Sequence, residues 1–125
     1  MMDGMNGSVL VVDDDPEFLA LAQRLLTAFG LAFAGEAASV AAAITAADSL
    51  RPDAVLVDIG LPDGDGVSLA RELTALPWRP RVVLTSTNAE AATAADVLRS
   101  GAEAFVPKDQ LPNTALGSLL GGGAR

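Results

Sequence analysis

The sequence predicts a doubly wound α/β domain, in which helices cover both faces of a five-stranded parallel sheet with the strand order 2-1-3-4-5. Two observations support this prediction. Short apolar segments typical of strands alternate five times with segments in which apolar residues recur at helical spacing. The first, third and fourth strand segments are apolar almost throughout, as expected for central strands buried on both faces. The 125 residues fit one domain with a single core.

Capping residues set the predicted boundaries in the first half of the chain. Asp15 is the expected N-cap of the first helix, Pro16 suits its first turn, and Gly30 ends it. Ser39 is the expected N-cap of the second helix. The predicted strands cover residues 8–12, 31–35 and 54–58, and the predicted helices cover residues 16–28 and 40–50.

Two helix starts are less sharply marked in the second half. The fourth helix is expected to begin at Asn88 or Ala89 and to end before Gly101, its C-cap. A brief last helix is expected to begin at Pro112 or Asn113 and to end at residue 120, before a run of glycines. The other predicted elements are a helix over residues 67–75 and strands over residues 81–85 and 104–106.

The composition excludes several classes of site. The chain has no cysteine and no histidine, which excludes disulfides, thiol nucleophiles, histidine bases and most zinc sites. A formal net charge of −8 argues against direct binding to nucleic acid or to an anionic membrane, and it favours hard cations or basic partners. No apolar run reaches the roughly 18–20 residues of a membrane span and no signal peptide is evident, so we expect a cytoplasmic protein.

A single domain accounts for nearly the whole chain. No linker or second module is evident, and no internal repeat beyond the alternation of strands and helices. We expect residues 1–7 to be a flexible leader, residues 8–120 to form the domain and residues 121–125 to be a tail.

Acidic residues follow two of the predicted central strands. Asp58 ends the third strand, and Asp13 and Asp14 follow the first. In the order 2-1-3-4-5 these strands are neighbours, so the three carboxylates converge at the carboxyl edge of the sheet, where open α/β sheets bind ligands. Three carboxylates repel one another, and Mg²⁺ relieves the repulsion. Asp58, one of Asp13 and Asp14, and a loop carbonyl such as that of Gly60 would be sufficient ligands.

A carboxylate beside Mg²⁺ is also a nucleophile toward phosphorus, which would make Asp58 the site of an aspartyl phosphate. The phosphoryl oxygens then need compensating groups. Thr85 or Ser86, at the end of the fourth strand, offers a hydroxyl, and Lys108, after the fifth strand, offers an ammonium. Each residue has an ordinary structural role in isolation, as a cap, a turn former or a solvated surface charge. Their joint position at strand ends favours a site.

These residues belong to longer motifs, which resemble the receiver domain of two-component response regulators over about residues 8–120. The resemblance implies a flavodoxin-like fold of five βα units. It rests on four motifs and a hydroxyl after the fourth strand. The motifs are Val-Val-Asp13-Asp14, Asp58-Ile-Gly-Leu-Pro62-Asp-Gly-Asp65-Gly66, Gly101-Ala102 and Phe105-Val-Pro-Lys108.

The resemblance implies a role for each acidic residue and for the lysine. Asp58 would be the phosphoacceptor. Asp14, and Asp13 mainly through water, would hold Mg²⁺, with the backbone carbonyl of Gly60 as a further ligand. Lys108 would contact the phosphoryl group. The domain would then catalyse only its own phosphorylation and dephosphorylation, and it would be a switch and not a turnover enzyme.

The resemblance also implies a switch at the end of the fourth strand. Counting back from Lys108 makes Ser86 the switch hydroxyl, whereas matching the strand pattern makes it Thr85. Phe105 matches the aromatic residue whose rotamer reports phosphorylation, and it also suits simple packing of the fifth strand. The implied partners are a histidine kinase or phosphotransfer protein as donor, and a downstream protein that binds the face formed by helix 4, strand 5 and helix 5.

Two alternatives differ in class. The first is a small Mg²⁺-dependent phosphohydrolase of the haloacid-dehalogenase type, with Asp13 as nucleophile and Asp15 as acid/base. Pro16 follows directly, and this alternative leaves the residues around Asp58 unexplained. The second is a degenerate receiver that acts as a binding module without phosphorylation. It predicts no phosphoryl adduct and no effect of Mg²⁺.

Overall fold

A computed structural model describes residues 7–114 and 116–121 of the protein. Five parallel strands form one sheet with the order β2-β1-β3-β4-β5, which confirms the predicted fold class and strand order. The strands are β1 (Ser8–Val12), β2 (Ala32–Ala37), β3 (Ala54–Asp58), β4 (Arg81–Ser86) and β5 (Ala104–Pro107). The helices are α1 (Pro16–Ala28), α2 (Val40–Leu50), α3 (Gly66–Thr74), α4 (Ala94–Ser100) and α5 (Leu116–Gly121).

Helices pack on both faces of the sheet because side chains of the central strands alternate between two apolar clusters. On β1, for example, Val9 and Val11 belong to one cluster, and Leu10 and Val12 belong to the other. The α1–α5 cluster contains Val9, Val11, Phe18, Leu26, Leu56, Val83, Val106, Leu111, Leu116 and Leu120. The α2–α3 cluster contains Leu10, Val12, Ala43, Ala47, Val55, Val57, Leu69, Leu73 and Leu84.

Local capping chemistry explains the boundaries that agree with the sequence. The Asp15 side chain accepts a hydrogen bond from the backbone N–H of Glu17 at the start of α1. Ser39 accepts one from Ala42 N–H at the start of α2. Gly101 ends α4 in the left-handed conformation at φ 80°, as its role of C-cap requires. Within the described residues, no helix has the length and apolar content that a bilayer crossing requires.

The predicted start of α4 at Asn88 or Ala89 is wrong, since the helix begins at Ala94. Thr93 and Asp96 form a capping box, in which each side chain accepts a hydrogen bond from the backbone N–H of the other residue. The preceding segment is a turn, stabilised by a hydrogen bond from Glu90 N–H to Asn88 Oδ1. The alanines before Thr93 favour a helix, but the capping box determines where it starts.

The last part of the chain also differs from expectation. A 3₁₀ helix covers Lys108–Asn113 and includes Pro112, so the predicted helix start at Pro112 or Asn113 is wrong. Thr114 is extended, at φ −104° and ψ 154°, and separates the 3₁₀ helix from α5. Helix α5 then includes Gly121, which was expected to lie beyond its end.

Smaller differences occur at other element ends. Strand β2 covers residues 32–37 where residues 31–35 were predicted, β4 and β5 each extend one residue further than predicted, and α3 begins and ends one residue earlier. Gly7 is buried, and its carbonyl accepts a hydrogen bond of 2.9 Å from Ala32 N–H. Of the predicted leader and tail, residues 1–6 and 122–125 lie outside the described residues.

The loop after Asp58 folds back on itself, so that its backbone approaches β3 closely. Gly60–Leu61 pairs with Gly64–Asp65 as a two-residue antiparallel ribbon, and Gly66 N–H donates to Ile59 O at 2.9 Å. A Cβ atom at Gly66 would lie 2.5 Å from Asp58 O and 2.6 Å from the Ile59 Cα. Only glycine permits this approach, because both neighbours are backbone atoms.

We predict that Gly66→Ala lowers the free energy of unfolding by about 1–3 kcal/mol, since the added methyl group must displace the backbone beside Asp58. Urea unfolding, followed by circular dichroism, measures the change. Gly60→Ala is the matched control, because a Cβ atom there has no neighbour within 4 Å. Equal stability of Gly66→Ala and wild type would contradict the prediction.

Candidate functional site

Three carboxylates meet at the carboxyl edge of the sheet. One carboxylate oxygen each from Asp13, Asp14 and Asp58 lies within 4.8 Å of the other two. The adjacent positions of β1 and β3 bring them together. Asp13 is fully buried, Asp58 is 8% exposed, and Asp14 is exposed to solvent. The cluster therefore has a rigid, buried side and an open side from which a ligand can enter.

The two oxygens of Asp13 have different surroundings. Oδ1 accepts a hydrogen bond of 2.9 Å from Asp15 N–H. Oδ2 is buried and lies 2.7 Å from Lys108 Nζ, but the contact lacks the angles of a hydrogen bond. The ion pair is therefore the compensation for this oxygen among the described residues. A buried oxygen with unused acceptor capacity, beside two more carboxylates, fits a hard cation that prefers oxygen ligands.

The carboxylate of Asp58 is held from two sides. Its Oδ1 accepts a hydrogen bond of 3.3 Å from Gly60 N–H, and its Oδ2 lies 3.9 Å from Lys108 Nζ. Burial raises the pKa of this carboxyl, and the negative charge of Asp13 raises it further; the Lys108 ammonium and the Gly60 amide oppose the rise only in part. The site is thus short of positive charge when all three carboxylates are ionised.

Lys108 reaches the cluster from the first residue of the 3₁₀ helix that follows β5. Its side chain is 14% exposed, and the ammonium lies 4.2 Å from the centroid of the Phe18 ring. Phe18 is a buried residue of α1. Its contact with the lysine has no signal in the sequence, because the two residues come from opposite ends of the chain.

The two candidate hydroxyls face different surroundings. Thr85 is fully buried, and its Oγ1 donates a hydrogen bond of 2.7 Å to Val106 O. Ser86 is 8% exposed, and its Oγ accepts a hydrogen bond of 3.1 Å from Asn88 N–H. Successive strand residues point to opposite faces of the sheet. The two hydroxyls therefore lie on different faces. The Thr85 hydroxyl already donates its proton to β5, whereas the Ser86 hydroxyl donates to none of the described residues.

Phe105 shares a sheet face with Ser86. It is in register with Leu84, two residues before Ser86, and it packs half-buried against the α2–α3 cluster. Gly60 lies on the exposed ribbon two residues after Asp58, close enough for its amide to bond that carboxylate. Their roles as switch aromatic and carbonyl ligand stay predictions.

Asp63 has a structural role that the sequence analysis missed. Its Oδ1 accepts a hydrogen bond of 2.7 Å from Val40 N–H, and its Oδ2 accepts one of 3.1 Å from Ala41 N–H. These bonds lower the pKa of Asp63 and cap the first turn of α2 from outside the helix. No local spacing could indicate this cap, because its partners lie 22 and 23 residues away. It ties the loop after Asp58 to α2.

Comparison with known proteins identifies the family. The family model described as the response regulator receiver domain matches residues 9–118. The chain belongs to this family. It is 26% identical over 115 residues to the chemotaxis protein CheY of Thermotoga maritima, and the match covers 92% of this chain and 96% of that protein. The match therefore spans almost the full length of both proteins.

Other relatives are longer than this chain. It is 34% identical over 107 residues to protein-glutamate methylesterase/protein-glutamine glutaminase 3 of Hahella chejuensis, and the match covers 84% of this chain but only 31% of that protein. The crystal structure of a two-component response regulator of the LuxR family from Aurantimonas sp. SI85-9A1 superposes with a TM-score of 0.83 at 25% identity, and the match covers 94% of this chain and 87% of that one. This chain therefore spans only about a third of the length of that methylesterase.

These findings do not favour the phosphohydrolase. The phosphohydrolase alternative needs Asp15 as an acid/base. The Asp15 carboxylate instead caps α1, where it accepts a hydrogen bond of 3.0 Å from Glu17 N–H. The family assignment, in contrast, accounts for the residues around Asp58.

We predict that Asp58→Asn raises the melting temperature at pH 7 by a few degrees. This rise corresponds to a gain on the order of 1 kcal/mol in the free energy of unfolding. The pKa of Asp58 is raised in the folded protein, so ionising this carboxyl is less favourable in the folded protein than in the unfolded chain. Asp58 therefore contributes its full stability below the unfolded pKa, and this stability is lost as the pH rises through the folded pKa. Asparagine does not ionise and avoids that loss. The advantage should therefore shrink as the pH is lowered toward about 4.

Thermal melts without divalent cations, at pH 7 and at low pH, measure this difference. Asp48→Asn is the control, because Asp48 is exposed on α2, away from the cluster. If Asp58→Asn melts at or below the wild-type temperature at pH 7, the ionised Asp58 carboxylate does not destabilise the folded protein and the prediction is wrong.

Proposed function

We propose that this receiver domain is a phosphorylation-operated switch, in which Asp58 accepts a phosphoryl group from a histidine kinase or a phosphotransfer protein. One observation supports this above all others. The Asp58 carboxylate lies at the end of β3 with an acidic pair on one side and the Lys108 ammonium 3.9 Å away on another. A nucleophilic carboxylate, cation ligands and a fixed positive charge are the groups that phosphoryl transfer to an aspartate requires.

The donor set suits Mg²⁺. Asp13, Asp14 and Asp58 would hold the ion, with the backbone carbonyl of Gly60 as a further ligand, and water would complete its coordination. When bound, Mg²⁺ neutralises charge on the oxygens of the transferring phosphoryl group. The buried Oδ2 of Asp13 supports this assignment, because without a cation its compensation is the Lys108 ion pair.

In the proposed reaction, a carboxylate oxygen of Asp58 forms a bond to phosphorus while the bond from phosphorus to the donor's histidine nitrogen breaks. The leaving imidazole takes up a proton from solvent. Lys108 holds its ammonium against a phosphoryl oxygen, where a fixed charge stabilises the transition state without reorganisation. Hydrolysis of the acyl phosphate by water restores Asp58, so the domain returns to its starting state without a separate catalyst.

We assign the switch hydroxyl to Ser86 and not to Thr85. The Thr85 hydroxyl already donates to Val106 O in the buried sheet, and moving it would break a bond that nothing replaces. The Ser86 hydroxyl can donate to a phosphoryl oxygen at Asp58. Phe105 packs on the same face, so a shift of Ser86 gives its ring space to turn. Phosphorylation would thereby bias two arrangements of the surface formed by α4, β5 and α5.

The proposed partners follow from this surface and from the charge of the chain. A downstream protein would bind at α4, β5 and α5, where Leu98 is 83% exposed. A net charge of −8 makes a nucleic acid or an anionic membrane a poor direct partner. We propose that the domain acts in the cytoplasm and has no catalytic turnover of its own beyond phosphorylation and dephosphorylation of Asp58.

Incubation with acetyl phosphate and Mg²⁺ should add one phosphoryl group, about 80 Da, to the wild-type protein. Intact-mass spectrometry measures the adduct. We expect no adduct on Asp58→Asn and none when Mg²⁺ is chelated, whereas Asp48→Asn should behave as wild type. An adduct that survives in Asp58→Asn would move the acceptor to another carboxylate, and turnover of a generic phosphate monoester would then indicate a phosphohydrolase. A folded wild-type protein without any adduct would leave only a binding module.

The assignment of the switch hydroxyl predicts different effects for Ser86→Ala and Thr85→Val. Ser86→Ala should still take up the phosphoryl group, but the methyl NMR signals of Val97 and Leu98 on α4 should no longer shift on phosphorylation. Thr85→Val should keep those shifts and lose about 1 kcal/mol of stability, since it removes a buried hydrogen bond. The reverse result, with shifts lost in Thr85→Val and kept in Ser86→Ala, would assign the switch to Thr85.

A further inference from the structure

The ammonium of Lys108 has an aromatic neighbour in addition to its two carboxylates. Nζ lies 2.7 Å from Asp13 Oδ2, 3.9 Å from Asp58 Oδ2 and 4.2 Å from the centroid of the Phe18 ring. The ring distance is well within the roughly 6 Å over which a cation is attracted to an aromatic face. Phe18 is 6% exposed and the lysine side chain 14%, so little water screens the contact. Cation–π contacts that are shielded from water are stronger than exposed ones.

We propose that Phe18 is a positioning residue for phosphoryl transfer, because the face of its ring holds the Lys108 ammonium between Asp13 and Asp58. The inference rests on the proposed function, in which Lys108 contacts the phosphoryl group. It assigns to α1 a part in the reaction besides the acidic residues that precede the helix.

The ring restricts the lysine without competing for its protons. A lysine side chain is a flexible chain of four carbons that ends in three N–H donors. Two carboxylates alone therefore leave the ammonium free to turn toward solvent. The Phe18 ring covers a further side of the ammonium and accepts no conventional hydrogen bond. The ammonium therefore stays beside the carboxylates, where the phosphoryl oxygens would arrive.

The ring contact also suits a lysine that must change partners. In the unphosphorylated protein Nζ is closer to Asp13 than to Asp58, by 2.7 Å against 3.9 Å. Contact with a phosphoryl group on Asp58 requires a shift of the ammonium toward Asp58. Such a shift lengthens the short ion pair with Asp13, whereas the ammonium can stay within the roughly 6 Å over which a ring face attracts a cation. Phe18 can hold the ammonium before and after the exchange.

Phe18 also packs in the α1–α5 cluster, so a purely structural role has to be distinguished. Fluorinated phenylalanines, introduced at position 18 by nonsense suppression, reverse the charge distribution of the ring with little change in its volume. We expect the rate of phosphorylation by acetyl phosphate and Mg²⁺ to fall stepwise with each added fluorine, by a total of about 3-fold to 30-fold. Phe18→Leu, which keeps an apolar side chain, should fall within the same range.

The matched control is Phe33, a partly buried phenylalanine that packs against the same cluster. Fluorination at Phe33 should leave the rate unchanged. If position 18 tolerates the whole fluorine series without a change in rate, the ring acts by packing alone and the proposal is wrong. The fluorinated series also decides the question if Phe18→Leu does not fold.

A second measurement does not depend on activity. Lys108 is the one lysine in the chain, so protein labelled with ¹³C-lysine shows a single set of lysine signals. In the metal-free protein, the ring should shift the Lys108 Hε protons upfield, and Phe18→Leu should return them to their ordinary position. An ordinary position in the wild type would overturn the contact itself. An upfield signal in a wild-type protein that takes up no phosphoryl group would instead show that the proposed function has failed, and the positioning role with it.

Discussion

The ion pair between Lys108 and the fully buried Asp13 is the interaction on which the rest of the site depends. At 2.7 Å it compensates the buried Oδ2 of Asp13, which accepts no hydrogen bond from the described residues, and loss of the lysine would leave the buried Asp13 charge without a counter-ion. One ammonium cannot balance three carboxylates. Burial raises the pKa of Asp58, and the imbalance, through the charge of Asp13, raises it further. The same imbalance suits the site to a cation. The shortage of positive charge at this sheet edge thus suits a hard cation, and in the proposed function that cation and Lys108 would together offset the charge of the phosphoryl group.

The loop after Asp58 is held in place by close backbone contacts as well as by the buried Leu61. Gly66 lies against the Asp58 carbonyl, and Gly60 N–H bonds its carboxylate. Asp63 caps the first turn of α2, so two hydrogen bonds join the loop after Asp58 to that helix. In the proposed switch, a second connection would lead through Ser86 and Phe105 to β5 and α4. The acceptor is therefore joined to elements on both sides of the sheet's central strands.

Strong local signals explain why most of the fold was predictable. The apolar central strands, the caps at Asp15 and Ser39 and the glycine after α4 each act over a few residues, and the strands and helix ends that they mark lie where expected, to within a residue. The start of α4 was not predictable from periodicity, because an alanine-rich segment is equally compatible with several starts and the Thr93 capping box selects one. The last helix was displaced for a similar reason, since the 3₁₀ helix and the extended Thr114 interrupt it.

The sequence by itself determined the fold class, the strand order and the charged groups at the strand ends, because these depend on residue type and on alternation along the chain. Only the tertiary structure decided which of the two hydroxyls already donates a hydrogen bond, which aromatic ring contacts Lys108 and which backbone amides bind Asp63. Each of these contacts joins residues far apart in the chain, such as Thr85 with Val106 and Phe18 with Lys108. Such pairs depend on strand register and on how helices pack across the sheet, and no local pattern of residues encodes either.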